Sequence, residues 1–91
     1  MIGDLEGALR RTCTLLSSSR DSLWTPWSAA EVRASLEGAL ARLARGEAVD
    51  AAELRVLFAP TGPVQELSLA NGWAEEMLVL GRTVDDLLAR P

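Results

Sequence analysis

Between Ser28 and Gly46 the chain carries a full set of helix signals, and no other stretch limits its fold so tightly. Ser28 and Glu31 fit an S-x-x-E capping box, in which each residue's side chain satisfies the other's backbone N–H. A helix therefore starts near Ala29. Val32, Leu36, Ala39, Leu40 and Leu43 follow at helical steps and form one apolar face. Arg33, Glu37 and Arg42 fall away from it. Gly46 supplies a residue able to take positive φ after the last turn.

The same pattern recurs along the chain. Ile2, Leu5, Leu9, Cys13 and Leu16 define an amphipathic helix over roughly residues 3–17. Asp4 and Glu6 near its start, with Arg10 and Arg11 further along, suit the helix dipole. The run "SSSRDS" breaks it, because Ser and Asp compete for backbone hydrogen bonds. Pro26 excludes an interior helical position. Asp50 with Glu53 repeats the capping logic, predicting a short helix from Ala51 to about Phe58 that buries Leu54, Leu57 and Phe58. Pro60 and Pro63 stop it. Residues 64–70, "VQELSLA", fit both a helical turn and a strand; a short helix is the reading, since no second strand exists to pair with it. A last helix starts near Asn71 to Trp73, with the stripe Trp73, Met77, Leu80, Val84, Leu87 and Leu88. Glu75 and Glu76 sit in its first turn and Arg90 in its last. Gly81 costs about 1 kcal/mol in a helix interior, which points to close packing there. The expected fold is all-α: a single domain over 1–91, a compact bundle of four main helices plus a short fifth helical turn.

Composition narrows the function. Ninety-one residues bury only about 60–65% of their unfolded surface, leaving little room for a deep pocket. The net charge of −4 lacks the basic footprint of a nucleic-acid binder. Residues 1–45 carry six Arg and five acids, a balance of +1, whereas residues 46–91 carry three Arg and eight acids, a balance of −5. That acidic half is either a solubilising surface or a face for a basic protein. A single cysteine allows no internal disulfide. No apolar run approaches the ~18 residues of a membrane span, and the start "MIGDLEGALRR" lacks a signal pattern. A cytoplasmic location is expected.

Catalytic equipment is sparse. Without histidine there is no Ser-His or Cys-His pair, nor a His-containing metal site. Phosphate-binding glycine loops are absent too. Glu75/Glu76 and Asp85/Asp86 are adjacent on a helix and do not share a face, so each pair chelates poorly and reads as surface. Cys13, on an apolar stripe, reads as a small buried hydrophobe. No catalytic residue, cofactor or metal site is expected.

Candidate binding residues gather at two places. Trp24 and Trp27 flank Pro26 in a loop, and their roles divide between core and interface. Trp73, at the head of an apolar stripe, reads as core. The turn "FAPTGP" is sharp, with Gly62 free to take positive φ and two prolines stiffening it. Gln65, Glu66, Ser68 and Asn71 then mix polar groups among Val64, Leu67 and Leu69, as helix caps do or as a recognition surface does. The predicted partner-binding set is Trp24, Trp27, Gln65, Glu66, Asn71, Glu75 and Glu76.

The stretch "WSAAEVRASLEGALARLARGE" followed by "LRVLFAPTGPVQELSL" resembles a group of small, uncharacterised bacterial helical proteins. Leu57, Phe58, Gly62, Glu66 and Leu67 occupy matching positions. Pro60 and Pro63 depart from that group's glycine-rich turn, and Gln65 stands where Asn is commoner. The resemblance covers about residues 24–73. Some of these proteins are immunity-like and encoded beside toxins, which implies a binding role. The expectation is therefore a non-enzymatic bacterial binding protein, immunity- or antitoxin-like, that neutralises a partner such as a basic toxin by surface occlusion. The alternative is a homo-oligomeric structural or adaptor module, with a homodimer as its simplest form. Neither nucleic acid nor membrane is an expected partner. A small-molecule role at the 60–71 junction is the least favoured reading.

Overall fold

The computed structural model describes residues 4–89. Five helices follow one another, α1 (Leu5–Ser17), α2 (Ala29–Ala44), α3 (Ala51–Leu57), α4 (Pro63–Asn71) and α5 (Ala74–Leu88), with no strand among the described residues. Ile2 and Arg90, assigned above to the first and last helices, lie outside the described residues.

The caps predicted for α2 and α3 form, and Asp4, read above only as an acid suited to the helix dipole, caps α1 as well. Asp4 accepts from the Gly7 N–H at 2.6 Å and starts α1. At α2 the capping box is complete: Ser28 Oγ accepts from the Glu31 N–H at 3.0 Å, and Glu31 Oε1 accepts from the Ser28 N–H at 2.9 Å. Asp50 accepts from the Glu53 N–H at 3.1 Å and starts α3. Gly46 takes φ 72°, and the next N–H, that of Glu47, donates to Arg42 O at 2.8 Å, a bond that closes α2.

The 64–70 segment is a nine-residue helix, longer than seven-residue α3. Two local devices extend it. Pro63 sits at its first position, where a missing N–H costs nothing. Gly72 ends it at φ 80°, with the Trp73 N–H reaching back to Ser68 O at 3.0 Å. Asn71 thus closes α4 rather than opening α5, and Trp73 is the residue from which α5 starts.

Gly62 departs from expectation. Its φ is −86°, which any residue can adopt. Space is what demands glycine: a Cβ there would lie 2.4 Å from Val56 O and 3.1 Å from Leu57 O. The turn folds its own backbone onto the end of α3.

The core draws on every helix. Leu9 and Leu16 of α1, Val32 and Leu36 of α2, Leu54 and Leu57 of α3, Val64 and Leu67 of α4, and Met77, Leu80 and Val84 of α5 are buried together with Phe58. Leu5, Cys13, Leu40, Leu43, Trp73 and Leu88 pack partly buried around them. Cys13 is therefore half-buried where full burial was expected, because the innermost places beside it go to Ala8 and Thr12. Thr12 hides its hydroxyl by donating to Ala8 O at 2.8 Å. Gly81 is buried, but a Cβ there would meet only ordinary contacts, 3.4 Å from Met77 Cε and 3.6 Å from Phe58 O, so packing does not demand the glycine its placement suggested. The radius of gyration, 12.0 Å, matches the ~12 Å of a compact chain of this length. No helix among the described residues is long and apolar enough to cross a membrane.

Candidate functional site

The connection from Ser18 to Ser28 is tied down at several points. Asn71 Oδ1 accepts from the Arg20 N–H at 2.7 Å, and Asn71 Nδ2 donates to Arg20 O and to Leu67 O, both at 2.8 Å. Trp73 Nε1 donates to Ser19 Oγ at 3.0 Å, and that hydroxyl donates to Leu15 O at 2.8 Å. At the far end Asp21 Oδ1 accepts from the Ala29 N–H at 2.8 Å, fastening the loop to the first turn of α2. Ser22 is buried and accepts from the Trp24 N–H at 3.2 Å. Thr25 accepts from the Trp27 N–H at 3.3 Å. The Asn71-Gly72-Trp73 joint between α4 and α5 is thus the anchor of a loop fifty residues earlier in the chain.

Leu23 and Trp24 stand at the tip of this anchored loop. Their relative exposures are 101% and 83%, against 39% for Trp27. Large apolar side chains this bare are rarely adjacent on a monomer's surface unless they serve an interaction. Trp24 forms a ridge between two shallow grooves. One, of about 470 Å³, is lined by Asp21, Leu23, Trp24, Glu66, Leu69 and Ala70. The other, of about 340 Å³, lies between Trp24, Trp27, Val56 and Pro63. Leu69 and Val56 are themselves more than half exposed. The tip and the outer faces of α3 and α4 therefore make one continuous surface, mainly apolar beside α4 and mixed beside α3, where Thr25 and Thr61 also line the groove.

Its charge is negative. Glu66 is half-buried in the first turn of α4 and has no ion-pair partner among the described residues. Asp21 commits one oxygen to the Ala29 N–H. Arg20, whose backbone Asn71 holds nearby, makes no ion pair with either acid among the described residues.

The seven residues predicted from sequence separate into groups. Trp24, Trp27 and Glu66 come together on this surface, and Asn71 holds it in shape from behind. Gln65 lines a different groove of about 300 Å³ with Phe58, Pro60 and Met77, and its Oε1 is buried with no hydrogen-bond partner among the described residues. Glu76 forms an ion pair with Arg11 across α5 and α1, with Arg11 Nη2 at 2.8 Å from Glu76 Oε1. Hydrogen bonding from Arg11 holds the Glu76 carboxyl below the usual carboxylate range. Glu75 lies exposed in the first turn of α5. The sequence reading missed Leu23, Val56 and Leu69. Two of these carried a signal: Leu23 is an apolar residue in a Ser-rich loop with no periodic mate, and Leu69 is out of phase with Val64, Leu67 and Ser68, the buried face of α4.

Cys13 offers no reactive counterpart. Burial pushes its thiol up, and the negative charge of Glu37 adds to that, against the opposing Arg33 and Arg10. The protonated, weakly nucleophilic form is favoured at neutral pH. No family model, curated protein or solved structure matches this chain.

Proposed function

We propose that this protein is a non-enzymatic, cytoplasmic binding module of the immunity or antitoxin type, which neutralises a protein partner by occluding it. The observation that carries this reading is the anchored, solvent-facing Leu23–Trp24 tip between two grooves. Burying Leu23 alone against a partner would contribute about 1.5–3 kcal/mol, and Trp is the residue type most enriched at binding hot spots. Because the loop is already fixed by Asn71, Trp73 and Asp21, little ordering cost opposes association. Small size and the acidic balance of residues 46–91 accord with capture of a basic protein. The resemblance of residues 24–73 to small bacterial helical proteins, some of them immunity-like, points the same way.

Co-expression with the product of the adjacent gene tests the proposal. The expected result is a complex that co-purifies and relief of any growth defect that product causes. A product that neither co-purifies nor is neutralised would overturn it. A second reading, a homo-oligomeric module, is favoured by Leu78 and Val79, which lie exposed on α5 at 61% and 63%. Light scattering on the isolated protein separates the two: a stable dimer without partner supports self-association.

A further inference from the structure

We infer that the groove between the Leu23–Trp24 tip and α4 receives a basic amphipathic segment of the protein partner, its Arg or Lys meeting Glu66 and Asp21 and its apolar side chains meeting Trp24 and Leu69. This inference rests on the binding role proposed above and specifies which surface acts and what it recognises. The lining divides into two chemistries. Leu23, Trp24, Leu69 and Ala70 supply apolar contact. Glu66 supplies a half-buried carboxylate that no cation among the described residues neutralises, and Asp21 retains an oxygen beyond the one bonded to the Ala29 N–H. An occupant that covered the tip without a cation would strip water from Glu66 and return nothing for it. A cation on the segment converts that cost into a charge-assisted contact. Grooves lined this way take amphipathic segments through apolar anchors, with flanking charges setting the choice of partner.

The same acids argue against other occupants. A two-fold contact between copies over this groove would bring each Glu66 towards its counterpart, setting like charges together. Insertion of the tip into a membrane would carry Glu66 and Asp21 towards anionic headgroups.

The test uses the full chain and three labelled synthetic peptides that share one apolar helical face and carry Arg, Gln or Glu along its edge. Binding is read by fluorescence anisotropy across a salt series. The Arg peptide is expected to bind about two- to fivefold more tightly than the Gln peptide, the scale of one partly exposed ion pair, and the Glu peptide not to bind. Glu66→Gln is expected to lessen that preference and weaken the salt dependence, with Asp21 keeping the remainder. Trp24→Ser is expected to abolish binding while thermal unfolding, followed by circular dichroism, stays unchanged. Equal binding of the Arg and Gln peptides, or a Glu66→Gln variant with unaltered preference, would overturn the inference. So would Trp24-dependent binding to phosphatidylcholine vesicles without peptide, or a concentration-dependent dimer that Trp24→Ser dissolves. If the peptides fail while the adjacent gene product still co-purifies, the groove assignment falls and the binding role stands. If both fail, the binding role falls as well.

Discussion

Asn71 shows how one polar side chain shapes the surface proposed to face a partner. All three of its hydrogen bonds go to backbone groups, two on Arg20 and one on Leu67, so it joins the α1–α2 loop to the end of α4. A net hydrogen bond contributes about 0.5–1.5 kcal/mol, and unsatisfied partners cost more where water cannot reach them. Asn71→Ala is therefore expected to lower unfolding stability by about 1–2 kcal/mol, measured by urea titration, and to loosen the tip, seen as faster amide exchange around residues 20–24. Loss of stability without faster exchange in the loop would separate the two roles. Glu76 illustrates a different residue-scale effect. Its carboxyl titrates below its ordinary value of 4.5 because Arg11 hydrogen-bonds to it and, to a lesser degree, attracts its charge. A depressed acid contributes stability above its unfolded value and loses it as pH falls through the folded value. Glu76→Gln should thus be less stable than the parent at pH 7, with the gap closing below about pH 4. Thermal melts across that range read the difference directly; a gap that widened in acid would contradict the sign.

At the scale of elements, the sequence was legible wherever a helix announced itself locally. The starts of α2 and α3 fall where Ser28-x-x-Glu31 and Asp50-x-x-Glu53 place them, because capping involves neighbours three residues apart. The length of α4 was harder to read, since its boundaries rest on Pro63 and Gly72 rather than on a strong apolar period. Gly62 was read for the wrong reason. Its need for glycine comes from the returning carbonyl of Val56, a contact that no local pattern encodes. Gly62→Ala is accordingly expected to cost about 1–3 kcal/mol through overpacking, despite the ordinary φ of −86°. Gly46→Ala is a useful comparison, since nothing crowds a Cβ there and only the positive φ of 72° is strained. Equilibrium unfolding of both variants checks the ranking, with the Gly62 variant the less stable. The candidate site was legible only in part for a similar reason. Trp24, Trp27 and Glu66 could be singled out by residue type, but the hydrogen bonds between Asn71 and Arg20 span 51 residues of sequence. Glu76 looked available because its partner Arg11 lies 65 residues away.

Across the whole molecule, stability and the proposed recognition fall to different residues. The interior is an ordinary close-packed helical core contributed by all five helices. The Leu23–Trp24 tip adds nothing to that core and is instead held outward by groups from α2, α4 and the residue that caps α5, Trp73. A bare aromatic at this position makes sense as a contact for something else, and the acids beside it restrict what that is. The measurement that tests this division most directly pairs two readings on Trp24→Ser: unfolding free energy in urea, and co-purification with the adjacent gene product. The account predicts stability within about 0.5 kcal/mol of the parent, as for an exposed site, together with loss of the complex. A variant destabilised like a core truncation, or one that keeps its partner undiminished, would contradict it.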